Sequence, residues 1–176
     1  ASHGRIRLGY LSGDFHAHAT CVLMAEVFEH HDKNRFEVFA YSHGPDERSI
    51  MRTRVESAIE HFIDTRSMSS LDMARRIADD QIDVLIDLKG HTSGNRLEVL
   101  AYRPAPVQAT FLAFPGTTGA FFMDYIIGDA VVTPLTHAAH YSEKIAQMPV
   151  CYQPNDRKRP LPRPMQRADV GLPEDA

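Results

Sequence analysis

The sequence predicts an α/β fold, a Rossmann-like and mostly parallel sheet with helices on both faces. Three observations carry that expectation. Short apolar segments alternate with helical stretches along the chain, the order a parallel sheet needs because each crossover requires a long connection. The segment "IDVLIDLKG" (82–90) is nearly continuous in Ile, Val and Leu, as a strand covered on both faces should be. Loops rich in glycine, threonine and histidine follow three of the strands directly.

The elements read in order as follows. "RIRLGYLSG" alternates and then turns apolar, a strand from about Arg5 to Leu11. From Thr20 to His31, Val22, Leu23, Val27 and Phe28 fall at helical spacing. "FEVFAYS" (36–42) is a second strand, and after Gly44-Pro45-Asp46 a helix runs to about Ile59. "HFIDT" is short and strand-like. Ser69 or Ser70 caps a helix that places Leu71, Ala74, Ile77 and Ala78 on one face. The 82–90 strand follows, then a short helix in "RLEVLAYRP" stopped by Pro104. "VQATFLAF", "MDYIIGD" and "EKIAQMP" read as three further strands. The stretch "QPNDRKRPLPRPMQRADVGLPEDA" holds five of the eleven prolines and five basic residues without a hydrophobic period. It reads as a linker, which sets the expected division at 1–154 for the folded lobe and 155–176 for a proline-rich connection. A chain that stops in a linker is expected to be a fragment.

Composition narrows the function. The chain has 176 residues, 43% of them hydrophobic, enough for one packed domain. A net charge of −4 with no basic stripe speaks against nucleic acid as a partner. The longest apolar runs fall far short of the roughly 20 residues a membrane helix needs. "ASHGRIRLGY" lacks the apolar core of a signal peptide, and residues 1–3 read as an extraneous remnant. Cys21 and Cys151 form no C-x-x-C pair, which fits a reducing cytoplasm. Cys21 is read as a small buried residue in preference to a thiol nucleophile.

If the strands are parallel, "SGDFHAHAT", "KGHTSGNR" and "FPGTTG" leave the sheet at the same edge, where open α/β sheets collect ligands. Gly90, Gly94, Gly116 and Gly119 permit close backbone approach. Thr20, Thr92, Thr117 and Thr118 offer donors near helix starts, where the helix dipole favours anions. A phosphate-bearing ligand suits such an edge, although no G-x-G-x-x-G or Walker pattern is present. Asp14 and His18 carry the titratable chemistry. They read either as a carboxylate that tunes a histidine base, or as a turn residue beside a helix-capping histidine. A third reading pairs His16 with His18 on a metal. It is the weaker one, because barrels built on such H-x-H pairs run to about 250 residues and need further ligands.

The runs "RIRLGYLSGDFHAHAT", "NRFEVFAYS", "AYRPAPVQATFLAFPGTTGAFFMDYIIGD" and "YSEKIAQMP" together resemble the O-GlcNAc transferase family, which includes the SPINDLY proteins and bacterial homologues. The likeness runs in order from about Arg5 to Pro154. It implies the first half of the catalytic region of a two-Rossmann-domain, metal-independent, inverting nucleotide-sugar glycosyltransferase. The expected reaction moves GlcNAc from UDP-GlcNAc to Ser or Thr hydroxyls of an acceptor protein. The expected partners are a second catalytic lobe and tetratricopeptide repeats, with no nucleic acid, no membrane and no cofactor or metal. By the resemblance, Asp14 and His18 are catalytic, and Thr20 lies beside the donor sugar. Leu112, Pro115 and Gly116 pack on sugar and diphosphate, and His91 and Thr92 line the cleft. Val22 stands where some members carry histidine, Ala113 where some carry glycine, and His91 replaces a tyrosine of animal members. Three alternatives stay open: a GDP-fucose-dependent O-fucosyltransferase, a non-catalytic repeat-linked interaction module, and a metal-dependent hydrolase on Asp14, His16 and His18.

Overall fold

A computed structural model of the chain describes residues 3–159 and 163–173. Residues 1–2, 160–162 and 174–176, which include part of the expected remnant and part of the proline-rich stretch, lie outside the described residues.

Seven strands form one wholly parallel sheet. They are β1 (Ile6–Ser12), β2 (Phe36–Ser42), β3 (His61–Asp64), β4 (Val84–Asp87), β5 (Val107–Phe111), β6 (Tyr125–Asp129) and β7 (Lys144–Met148). The helices are α1 (Ala19–Glu29), α2 (Ile50–Ala58), α3 (Ser70–Asp79) and α4 (Leu97–Ala101). The strand order is β3-β2-β1-β4-β5-β6-β7. From β1 the chain builds outward through β2 and β3, then returns to the other side of β1 with β4. The crevice between β1 and β4 is therefore the switch point at which ligands bind in open α/β sheets.

Side chains alternate across the pleat, so each strand feeds two cores. Leu8, Tyr10, Val38, Ala40, Ile86 and Leu88 pack with Met24, Ala25, Phe28 and Val55 of α1 and α2. Leu11, Phe39, Tyr41 and Leu85 pack on the opposite face with Met73, Ala74 and Ile77 of α3 and Val99 and Leu100 of α4. Burial of the large side chains supplies about 1.5–3 kcal/mol each, and both faces of the inner strands use it. This is why the inner strands read as near-continuous apolar runs.

Local signals set the helix starts. Ser49 and Ser69 accept from the N–H groups of Arg52 and Asp72, so Ser69, not Ser70, is the cap of α3. On α3 the buried stripe is Met73, Ala74 and Ile77. Leu71 and Ala78 stay exposed and border a shallow groove with Tyr102 and Pro104, a shift from the face the spacing suggested. The chain after β7 returns across α1 and α2. Asp156, Arg157 and Lys158, in the stretch read as linker, are tied to Arg54, Glu26 and Glu29 by ion pairs.

Candidate active site

A cavity of about 370 Å³ opens over the carboxyl ends of β1, β4 and β5. Its wall takes Asp14, His18, Thr20 and Leu23 from the β1–α1 connection and α1, and Lys89, Thr92 and Ser93 from the loop after β4. Leu112 and Ala113 come from the end of β5, and Tyr152 and Gln153 from the segment after β7.

Each loop is fixed by its own residues. After β1, Ser12 accepts the N–H of Asp14 at 3.0 Å. The buried Arg52 of α2 donates to the Phe15 carbonyl at 3.2 Å and to Ser42 Oγ at 3.0 Å, bracing the turn from beneath. His18 is the N-cap of α1, with Nδ1 accepting the Thr20 N–H at 3.2 Å. That bond requires a lone pair on Nδ1, so the neutral ring carries its proton on Nε2. His18 Nδ1 also lies 3.6 Å from Asp14 Oδ2 and 3.2 Å from Thr20 Oγ1. The capped start of α1 brings the positive end of an 11-residue helix to the cavity.

The loop after β4 turns on Asp87, whose buried carboxylate accepts the N–H groups of Lys89 (3.2 Å) and Gly90 (2.6 Å). Burial pushes that carboxyl up to about 6. Gly90 has φ +53°, and a Cβ there would lie 2.7 Å from Phe114 Cβ, so the position takes glycine alone. The turn sends the Lys89 side chain back to Asp14, with Nζ 2.8 Å from Oδ1 and 2.9 Å from Oδ2. Both partners are buried. At the end of β5, Leu112 has φ +79°, a left-handed conformation that costs a non-glycine residue about 1–2 kcal/mol. Its buried side chain on the cavity wall holds it there.

Of the residues singled out in the sequence, Asp14, His18, Thr20, Thr92 and Leu112 meet at this cavity. His91, Pro115 and Gly116 do not line it. His91 Nε2 lies 2.8 Å from the Thr118 carbonyl oxygen and its ring packs edge-on against Phe114 (5.3 Å), joining two loops. Pro115 is exposed, and Gly116 packs under the Phe114 ring. Thr117 and Thr118 turn away to Glu143 just before β7. Thr117 Oγ1 donates at 2.7 Å, and the backbone N–H and hydroxyl of Thr118 both donate to the same carboxylate. Their donors are therefore spent inside the protein and not offered to a phosphate. Thr92 Oγ1 likewise donates to the Lys89 carbonyl at 2.8 Å.

Asp14, His16 and His18 do not bring three ligand atoms together. The one such convergence among the described residues is Glu37, Glu60 and His61, on the opposite edge, and Arg5 and Arg7 already pair with its carboxylates. Cys21 is buried, donates to the Asp14 carbonyl at 3.0 Å, and is pushed up to about 12 by burial, so it holds no thiolate at neutral pH. Sequence reasoning missed Lys89, Tyr152 and Gln153. A lysine ending an otherwise apolar strand was the available signal for the first. The other two lie at the very end of the expected lobe, against the proline-rich stretch, and carry no motif.

The sequence profile of glycosyl transferase family 41 matches residues 1–175. An Arabidopsis thaliana protein named as the probable UDP-N-acetylglucosamine–peptide N-acetylglucosaminyltransferase SEC is 43% identical over 178 residues, which is 97% of this chain and 18% of the relative. The Caenorhabditis elegans UDP-N-acetylglucosamine–peptide N-acetylglucosaminyltransferase is 43% identical over 146 residues, 82% of this chain and 13% of its own. The fold is similar to that of a Thermobaculum terrenum O-GlcNAc transferase carrying a K341M substitution. There the TM-score is 0.82 at 33% identity, over 86% of this chain and 29% of that one. The chain spans less than a fifth of the length of these two curated relatives. A cavity at the β1–β4 switch point and a match along almost its whole length lead to one conclusion: the chain belongs to glycosyl transferase family 41.

Proposed function

We propose that this chain is the first catalytic lobe of an inverting glycosyltransferase that moves GlcNAc from UDP-GlcNAc to Ser or Thr hydroxyls of proteins. The observation that carries the reading is the cavity itself. It gathers Asp14, His18, Thr20 and the start of α1 at the switch point of a chain whose relatives are named for that reaction. The acceptor hydroxyl attacks the anomeric carbon in line, its bond to carbon forming as the bond to the diphosphate oxygen breaks, with inversion. His18 or Asp14, directly or through water, takes the hydroxyl proton, a contribution of roughly 10²–10⁴-fold. The α1 N-terminus favours the charge that develops on the departing diphosphate. A second lobe completes the nucleotide site, and repeats outside this chain select the acceptor. No metal is required, a reading supported by Asp14, whose two oxygens are already engaged by Lys89. Two unpaired cysteines support a reducing compartment such as the cytoplasm.

The test is nucleotide release and label transfer by the protein at the full length in which the chain occurs, with UDP-GlcNAc and GDP-fucose offered separately and a chelator in parallel reactions. UDP release with transfer to protein, undiminished by the chelator, is the expected result. GDP release with fucose transfer moves the enzyme to another donor, and no release from either donor by a folded protein removes the enzymatic reading.

A further inference from the structure

The wall of the cavity carries one carboxylate, Asp14, and one ammonium, Lys89. They come from different strand ends, meet at 2.8 and 2.9 Å, and are both withdrawn from water. The ligand class proposed above is anionic, and a bare carboxylate on the cavity wall repels it. Resting on that reading, we propose that Lys89 is a positioning residue whose task is to cancel the charge of Asp14, so that an anionic nucleotide diphosphate can sit beside the carboxylate.

The architecture supports this assignment. The Asp87 carboxylate and the left-handed Gly90 fix the backbone on either side of Lys89, and the ammonium is buried against Asp14. Two of its three N–H donors are spent on the two Asp14 oxygens, and the third makes no bond among the described residues. The pair is close to neutral when seen from the cavity. Removing either member exposes one unit of charge to a bound anion. At several ångströms and an intermediate effective dielectric, that charge changes affinity by about tenfold or more.

The experiment measures UDP binding by calorimetry, at one pH and one ionic strength, in the protein at the full length in which this chain occurs. UDP is used because it lacks the transferred sugar, so contacts of Asp14 to a GlcNAc hydroxyl do not enter. Lys89→Met should weaken UDP binding at least tenfold. Asp14→Asn, which unmasks the cation, should tighten it by about three- to tenfold. The double variant Asp14→Asn/Lys89→Met should return to within about threefold of the unsubstituted protein. If the double variant stays as weak as Lys89→Met, the lysine touches the anion directly and charge cancellation is wrong. Weakened binding by folded Asp14→Asn overturns the proposal equally. Should Lys89→Met fail to fold because it strands a buried carboxylate, or Asp14→Asn because it strands a buried ammonium, the double variant, which strands neither, decides the matter. Absence of UDP binding by the unsubstituted protein removes the UDP-GlcNAc reading and this inference, which rests on it. Binding without rescue removes this inference alone.

Discussion

Arg54 fastens one wall of the cavity from a distance. Its guanidinium bonds Glu29 at 2.8 and 3.1 Å and Asp156 at 2.6 and 3.1 Å, while Lys158 adds a 2.6 Å bond to Glu29. Asp156 has a side chain with 0% exposure. Tyr152 and Gln153, four and three residues upstream, line the cavity. Arg54→Met keeps a good helix former on α2 but leaves a buried carboxylate without its cation. Breaking a buried pair costs about 3–5 kcal/mol when the stranded charge stays in place. The segment has a cheaper response, which is to lift off, so the loss appears as local opening and not as global unfolding. An opening equilibrium shifted by about 3 kcal/mol is roughly a hundredfold. Trypsin reports it directly, because Arg157 and Lys158 follow one another within the clasp. Cleavage there should rise by tens of fold while the melting temperature of the sheet changes by a few degrees. A cleavage rate within twofold of the unsubstituted protein would refute the clasp. Acid should open it as well. Hydrogen bonds from Arg54, then Lys158, hold the Glu29 carboxyl down to about 2, below its unfolded value of 4.5. Its contribution is therefore complete above 4.5 and lost as pH falls toward 2, which the amide signals of residues 152–158 should follow.

Three further outcomes follow from single residues. His18→Ala removes the α1 cap and should cost about 1 kcal/mol, whereas His18→Asn keeps a capping oxygen and should melt within a degree or two of the unsubstituted protein. A large melting difference in His18→Asn would show that the ring packs more than it caps. Gly90→Ala meets both a positive φ and Phe114 Cβ at 2.7 Å, so a loss of about 2–4 kcal/mol is expected, and calorimetry showing a melting shift under 2 °C would contradict it. At pH 8 a thiol reagent should label the exposed Cys151 at once and Cys21 only on unfolding. Two fast thiols would mean that the loop after β1 opens readily.

The sheet was legible because hydrophobic period and topology agree. β2 is bounded to the residue at 36–42, where polar and turn residues close a short apolar run on both sides. β4 came out shorter than its apolar run. Ile82 and Leu88 are buried beyond the ladder, and the Asp87 carboxylate turns the backbone before Lys89. On α3, spacing alone could not tell whether Leu71 or Met73 faced the sheet, because both sit within a turn of Ala74. Sequence also placed the glycine-rich loops at one edge but could not foresee that Glu143, twenty-five residues after Thr118, would take the donors of that loop. Contacts of that range leave no local signature. The pairing of Lys89 with Asp14, seventy-five residues apart, was hidden for the same reason.

The two readings of "DFHAH", a capped turn and a proton-handling pair, turn out not to compete. Capping uses Nδ1 of His18 and leaves Nε2 on the open side of the ring, in a side chain that is 42% exposed and lines the cavity. For the ring to accept a proton at Nε2 it must move its own proton to Nδ1 and give up the bond to Thr20, a cost of about 1 kcal/mol. The proton then has a destination, because Asp14 Oδ2 lies 3.6 Å from Nδ1 and needs only a small approach to accept a hydrogen bond. For Asp14 to act alone, its carboxylate must take the proton beside Lys89, which leaves a buried ammonium without its counter-charge at a cost of about 3–5 kcal/mol. The cheaper route runs through His18, with Asp14 steadying the imidazolium and Lys89 steadying Asp14. In the transfer reaction proposed above, at saturating donor, His18→Asn should lower kcat by a hundredfold or more, and Asp14→Asn by about tenfold. The reverse ranking, with both variants folded, would show that the carboxylate takes the proton itself during turnover.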